Sequence, residues 1–286
     1  MEHSRQARLQ LITSMAVFGT LAPFVRNISV SSGELALYRA ILAAVLIGAF
    51  FLLTGQSLPW KGLGRELPLL LLSGAAMGTN WILLFEAYKY TTVAISTLSY
   101  YFAPVIVTVV CPFLFREKLG KKQILCFLMS TLGLALVIGI TDLGSGGNDL
   151  LGVVFGLGAA VFYAAVILLN KFIKGIAGIQ RTFVQFLAAI ATLIPYVLFS
   201  GGITIGGMNS TGWICLLVVG LVHTGLTYCL YFSALKELPG QEAAILSYID
   251  PLVAVIIGVL LLGEPLSWHQ IAGGALILGF TLWNEL

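Results

Sequence analysis

Residues 101–119 read YFAPVIVTVVCPFLFREKL, and residues 248–266 read YIDPLVAVIIGVLLLGEPL. Each opens on tyrosine, carries proline three residues later, runs on through an apolar stretch, and closes on glutamate with leucine two residues beyond. The offset, the 147 positions separating Glu117 from Glu264, extends the match in both directions without a gap. It pairs Gly78 with Gly225, Phe85 with Phe232, Ala87 with Ala234, Lys89 with Lys236, and Gln123-Ile124 with Gln270-Ile271. Shared greasiness explains paired leucines but not paired Lys, Tyr, Pro, Glu and Gln. The chain therefore reads as two repeats, residues 1–143 and 144–286.

The composition says where such a chain lives. Of 286 residues, 59% are hydrophobic and only 9% charged, whereas a soluble domain carries roughly 25% charged residues. A surface that apolar must face lipid. A bilayer core of about 30 Å takes roughly 20 residues of helix. Stretches of that kind lie at Leu9–Ile28, Glu34–Thr54, Leu67–Tyr88, Thr92–Phe115, Lys121–Thr141, Leu150–Phe172, Gln180–Ser200, Gly212–Leu235, Gly240–Gly263 and Trp268–Leu286. Short Gly-, Ser- and Asn-bearing links join them, and Ser31-x-x-Glu34 has the form of a capping box opening the second. The first stretch follows Arg5 and Arg8 but ends in no clean cleavage site, so it reads as a retained helix and not a signal peptide. The 32 glycines suit close contact between membrane helices.

Ten spans give five per repeat. An odd number sends the second repeat into the membrane from the opposite side. The positive charges agree with this and set the orientation. With the amino terminus inside, twelve Lys or Arg fall on the inner side: Arg5, Arg8, Lys61, Arg65, Arg116, Lys118, Lys121, Lys122, Lys171, Lys174, Arg181 and Lys236. Only Arg26 and Lys89 fall outside. The expected fold is an all-α membrane protein of ten transmembrane helices, arranged as two inverted five-helix repeats with both termini cytoplasmic. Halves of opposed orientation around a central site are a recurrent secondary-transporter design.

The order of several short motifs resembles the EamA family of the drug/metabolite transporter superfamily. They are Tyr38-Arg39-Ala40-Ile41-Leu42-Ala43-Ala44, the run through Pro104 ending Arg116-Glu117-Lys118-Leu119, and Ile249-Asp250-Pro251-Leu252 leading to Leu262-Gly263-Glu264-Pro265-Leu266. The resemblance implies a multi-pass carrier of the inner or plasma membrane, often an exporter of amino acids or related metabolites, with no cofactor.

Asp250 is the sharpest candidate for the site. A carboxylate at mid-membrane costs roughly 2.5–3.5 kcal/mol, tolerable beside a cavity, a partner or a proton. Pro251 removes a backbone donor next to it, and Ser247 lies one turn before. Asp250 is expected to bind a substrate amine or a proton. The alternative is a protonated carboxyl bonded to a neighbouring helix. His223, the histidine deep in the eighth span, suits proton coupling or a polar contact with substrate; the alternative is a neutral histidine bonded to a neighbouring backbone. Asn80, Trp81, Tyr100, Tyr101, Tyr163, Tyr228 and Tyr248 are the mid-depth amide and aromatics, of which two or three are expected to line a cavity. Tyr101 is the repeat equivalent of Tyr248, and Trp81 of Tyr228. Arg39 and Glu86, near the outer ends of their helices, are expected to pair as a gate, with Arg39 reaching the interface. Glu117 and Glu264 are expected to accept from helix-start amides.

Other classes fare worse. Cys111, Cys126, Cys215 and Cys229 sit in apolar runs without metal spacing. There is no HExxH, nucleophile elbow or phosphate loop. The net charge of +3 is too small to suggest nucleic acid, and no basic run supports such a partner. The expected partners are a small solute, the lipid bilayer and protons as coupling ion. The leading expectation is a secondary exporter of amino acids or related amine-bearing metabolites. An organic-cation or drug exporter and, from another class, a channel or membrane scaffold are the alternatives.

Overall fold

The computed structural model describes residues 2–55, 60–115, 120–138, 149–173, 175–176, 178–238 and 246–286. The Arg116-Glu117-Lys118 turn, Lys174, the repeat boundary at 143/144 and the expected start of the ninth span at Gly240 lie outside them. Among the described residues the chain is helical and contains no strand. In lipid this is what backbone chemistry demands, since a helix satisfies its N–H and C=O groups within one segment.

The helices are α1 (Glu2–Gly19), α2 (Leu21–Arg26), α3 (Ser32–Thr54), α4 (Trp60–Tyr90), α5 (Val93–Tyr100), α6 (Ala103–Phe115), α7 (Lys121–Ile138), α8 (Asp149–Phe172) and α9 (Gly178–Phe199). There follow α10 (Ser210–Leu217), a π-helical segment (Val218–Leu226), α11 (Thr227–Glu237), α12 (Ile249–Leu262) and α13 (Trp268–Glu285). Among the described residues six stretches are long and apolar enough to cross a bilayer: Arg5–Arg26, Ser32–Thr54, Glu66–Tyr90, Asp149–Phe172, Gly178–Phe199 and Ser210–Tyr231. Shorter apolar helices occupy Val93–Val107 and Ile249–Leu262.

The polarity is inverted relative to a soluble protein. Leu52, Leu53, Phe113, Phe199 and Leu260 point outward, while Arg39, Asn80, Gln185, His223 and Thr224 are buried. On α3 the small residues Ala36, Ala40, Ala43 and Ala44 recur at helical spacing along the buried face, which lets neighbouring helices approach closely. The two parts of the chain interlock: α1 packs on α11 and α12, α3 on α9 and the π segment, and α4 on α8 and α9.

Caps set the helix starts. The Ser31 hydroxyl accepts from the Glu34 amide while Glu34 reaches back to Ser31, completing the expected capping box. Glu34 also accepts from the Thr204 amide (2.7 Å) and hydroxyl (2.5 Å), tying α3 to the loop after α9. Ser267 and Gln270 form the corresponding box on α13.

Two breaks matter for the site. Residues Tyr101-Phe102 interrupt the segment between α5 and α6, and Tyr248 is a turn residue directly before α12. These tyrosines are repeat equivalents. Pro104 and Pro251 then fall in the first turns of α6 and α12, where a missing N–H leaves no bond unmade. Helices α7 and α13 pack together, and neither contributes to the cavity described next. Their backbones meet at Gly133 and Gly273: a methyl group on Gly133 would lie 2.7 Å from the Gly273 carbonyl oxygen.

Candidate functional site

A cavity of about 370 Å3 lies between the two parts of the chain, within the range that holds small ligands. Its wall follows from helical spacing. Met77, Trp81, Leu84 and Tyr88 descend one face of α4, Tyr163, Val166, Ile167 and Asn170 one face of α8, and Tyr228 and Tyr231 a turn of α11. The broken segments add Thr97, Tyr100, Tyr101 and Pro104 from one repeat, and Ser247, Tyr248, Asp250 and Ala254 from the other.

Asp250 sits in the first turn of α12, where the exposed amide end of a helix favours negative charge. One oxygen, Oδ2, accepts from the Tyr101 hydroxyl at 2.6 Å. No partner among the described residues is found for Oδ1. The two repeats thus meet across this bond, tyrosine from one and carboxylate from the other. Gly19, the last residue of α1, makes the position possible. A methyl group there would stand 2.6 Å from both the Asp250 carbonyl oxygen and the Val253 Cβ. Gly19→Ala is therefore expected to push α12 away and cost about 1–3 kcal/mol through overpacking. A lower melting temperature together with reduced transport in proteoliposomes would bear this out; wild-type values for both would refute it.

Aromatic rings line the remainder. Tyr100 stacks on Tyr163 (centroids 5.1 Å, 22°) and meets Tyr101 edge-on at 5.8 Å. Tyr228 stands edge-on to Phe186 at 5.5 Å, and Phe186 lies 5.6 Å from Trp81. Such walls offer apolar faces with hydroxyl rims.

Of the residues singled out from the sequence, Asp250, Ser247, Tyr248, Tyr100, Tyr101, Tyr163, Tyr228 and Trp81 line the cavity. Asn80 does not. Its side-chain amide donates to the Ala159 carbonyl at 2.6 Å and clamps α4 to α8. His223 also stands behind the wall, with Nε2 at 3.0 Å from the Thr20 hydroxyl, Nδ1 at 3.4 Å from the Val218 carbonyl, and Phe24 against its ring.

The expected Arg39–Glu86 pair is not formed. Glu86 pairs with Lys89 at 2.9 Å, one turn along the same exposed helix end. Arg39 does not reach the interface either. It is 4% exposed, lines the cavity, and donates through Nε to the Thr224 hydroxyl at 2.6 Å. Its guanidinium lies 4.5 Å over the Trp81 ring and 5.7 Å from Phe85. The reason is depth: Arg39 is seven residues into α3, about 10 Å along the axis, on a face that meets α4 and the π segment instead of lipid.

Tyr88, Thr97, Asn170, Thr182, Gln185 and Tyr231 also stand in the wall, although no isolated charge singles them out in the sequence. Helical spacing would have found several: Tyr88 lies seven residues after Trp81, Asn170 seven after Tyr163, and Tyr231 three after Tyr228. Gln185 donates to Ser73 and to Asn170, each at 2.7 Å.

A polar knot lies beside a second pocket, of about 810 Å3, which shares Tyr88 with this cavity and is lined by Arg26, Lys89, Thr91, Asp149 and Glu264 among others. Arg26 pairs with Glu264 at 2.6 Å and donates to the Thr91 carbonyl. The other Glu264 oxygen accepts from the Val93 amide at 2.7 Å, the first of α5. This is the helix-start contact expected of it. The Thr91 hydroxyl donates to Asp149 at 2.6 Å, linking α8 to the α4–α5 junction.

Comparison with known proteins agrees with the fold. The model of the EamA-like transporter family matches residues 7–139 and again 150–284. An uncharacterized transporter of Bacillus subtilis (strain 168), YxxF, is 30% identical over 95% of this chain and 86% of its own length. One of Archaeoglobus fulgidus is 28% identical over 98% of this chain and 97% of its own. A crystal structure of 18% identity superposes with a TM-score of 0.67 over 96% of this chain and 95% of the other, a likeness of fold. Two matches of one family model, carried on apolar helices that enclose a polar cavity, make this chain a multi-pass membrane transporter belonging to the EamA-like transporter family.

Proposed function

We propose that the protein is a secondary active exporter of small amine-bearing metabolites, amino acids or their relatives, working by alternating access in the cell's inner or plasma membrane. Ten membrane crossings serve it, five from each inverted repeat, with both termini cytoplasmic. The division falls near residues 143 and 144. In this arrangement α1 with α2, α5 with α6, and α10 through α11 each form one crossing, and α12 belongs to the ninth.

The observation that carries the reading is Asp250: a carboxylate at a helix break, lining a cavity of metabolite size, with one oxygen held by Tyr101 and no partner among the described residues at the other. An ammonium group is the ligand such an oxygen takes most strongly, because charge-assisted bonds are roughly twice as strong as neutral ones. Tyr100, Tyr101, Tyr163, Tyr228, Tyr248 and Trp81 form the wall, and Ser247 offers a hydroxyl. Protons are the proposed coupling ion, with Asp250 as the group that exchanges proton for amine.

Two experiments test this. Purified protein in liposomes should show saturable counterflow of a labelled amino acid, and flux without counterflow would mean a channel. Single cysteines at Lys89 and Lys236 should react with an impermeant maleimide from opposite sides of the membrane. Labelling from one side alone would rule out the inverted arrangement.

A further inference from the structure

The sequence suggested a gate for Arg39; its surroundings suggest a ligand. The side chain is 4% exposed, yet it forms part of the cavity wall. Its Nε is spent on Thr224, while the two terminal nitrogens have no hydrogen-bond partner among the described residues. Arg39 forms no ion pair with a described carboxylate: Glu34 is bonded to Thr204, Glu86 pairs with Lys89, Glu264 with Arg26, and Asp250 is bonded to Tyr101. The phenols of Tyr228, Tyr100 and Tyr88 share the cavity wall with it, and His223 stands next to Thr224 on the π segment. A buried guanidinium with no anion beside it is stable only where water solvates it or a ligand supplies the missing charge. Its plane is already fixed, laid on Trp81 and tethered through Nε. The remaining pair of Nη groups forms a fork matched to the two oxygens of a carboxylate.

We propose that Arg39 is the carboxylate anchor of the central site, so that the solute carried is a zwitterion. This rests on the reading of Asp250 as the amine site. The cavity then carries a cation and an anion on separate walls, Arg39 from α3 and Asp250 from α12. Tyr88 and Tyr228 line the same cavity as both. A zwitterion neutralises both charges in one binding event. An organic cation would satisfy Asp250 but leave Arg39 unpaired and add like charge to it. A phosphate ester would ask for several cations, and among the described residues the wall offers Arg39 alone.

The test measures binding to purified protein in nanodiscs by thermal shift and titration calorimetry. The probes are L-alanine, L-threonine, L-leucine and L-phenylalanine, each beside the amine that lacks its carboxylate and the acid that lacks its amine. The expected result is that at least one amino acid binds, with its amine weaker by about tenfold or more, the worth of a lost charge-assisted pair. In Arg39→Gln that preference should vanish while the amine still binds. Thr224→Val keeps the charge but frees Nε, and Arg39→Lys keeps the charge but removes the fork. Both should reduce the preference, and both serve should Arg39→Gln fail to fold. Amines binding as tightly as amino acids would overturn the anchor and leave the amine reading standing. Acids binding alone, and lost in Arg39→Gln, would uphold the anchor and remove the amine from the reading. Retention of the wild-type preference in all three variants would overturn the anchor, and no binding by any probe would overturn both.

Discussion

Asp250→Asn is expected to reduce transport by about 30- to 150-fold, corresponding to about 2–3 kcal/mol for a bond to a charged group. The substitution preserves shape, and its amide oxygen can still accept from the Tyr101 hydroxyl, now 2.6 Å from the carboxylate. The break before α12 and the close approach to Gly19 are backbone features and remain. Charge alone is removed. The measurement is counterflow of a labelled amino acid in proteoliposomes, with helical content and melting temperature as controls for folding. Kinetics indistinguishable from wild type would take Asp250 out of the mechanism and leave its carboxyl a structural partner of Tyr101.

The second large effect is expected at the other polar knot. Glu264 both pairs with Arg26 and accepts from the Val93 amide, and so holds α12, α2 and α5 at one point. Its side chain is 8% exposed, while that of Arg26 is 32% exposed. Breaking a fully buried pair costs about 3–5 kcal/mol; with one partner wetted, about 1–2 kcal/mol is expected. Glu264→Gln can still accept from Val93 but loses the ion pair. On the side proposed as outer, this should favour opening by about 5- to 30-fold. A single cysteine replacing Leu84, in the cavity wall, reports it in a protein otherwise free of cysteine. An impermeant maleimide added from outside should label it faster by that factor in the Glu264→Gln background. An unchanged rate would mean that Arg26 and Glu264 do not hold the outer side shut.

What the sequence made legible was what hydropathy and repetition encode. Composition demanded lipid-facing helices, and the Ser31–Glu34 box placed the start of α3 correctly. The tyrosine and proline pairs of the repeat marked the two places where helices break. Asp250 stood out because an isolated charge in an apolar run is costly and has few explanations. Arg39 reads as lying near a helix end, but its burial follows from being seven residues into α3 on a face that meets other helices. Asn80 and His223 show the same limit, since a polar residue at the right depth can face a neighbouring helix as easily as a cavity. The π-helical stretch left no trace in composition. Val218–Leu226 is as apolar as its flanks, and it is the i−5 carbonyl contacts of Thr224 and Thr227 that reveal the wider turn.

The duplicated scaffold is furnished unequally: Ala103 stands where its twin has Asp250, and Trp81 where its twin has Tyr228. If such halves exchange shapes, the pocket they offer from one compartment is not the mirror image of the pocket offered from the other. A solute would meet its polar holds in a different order on entering and on leaving. Half-saturating concentrations on the two sides would then differ, and detailed balance would force the two maximal velocities to differ in proportion. Such a carrier would be rectified in its kinetics while leaving the equilibrium distribution to whatever gradient drives it.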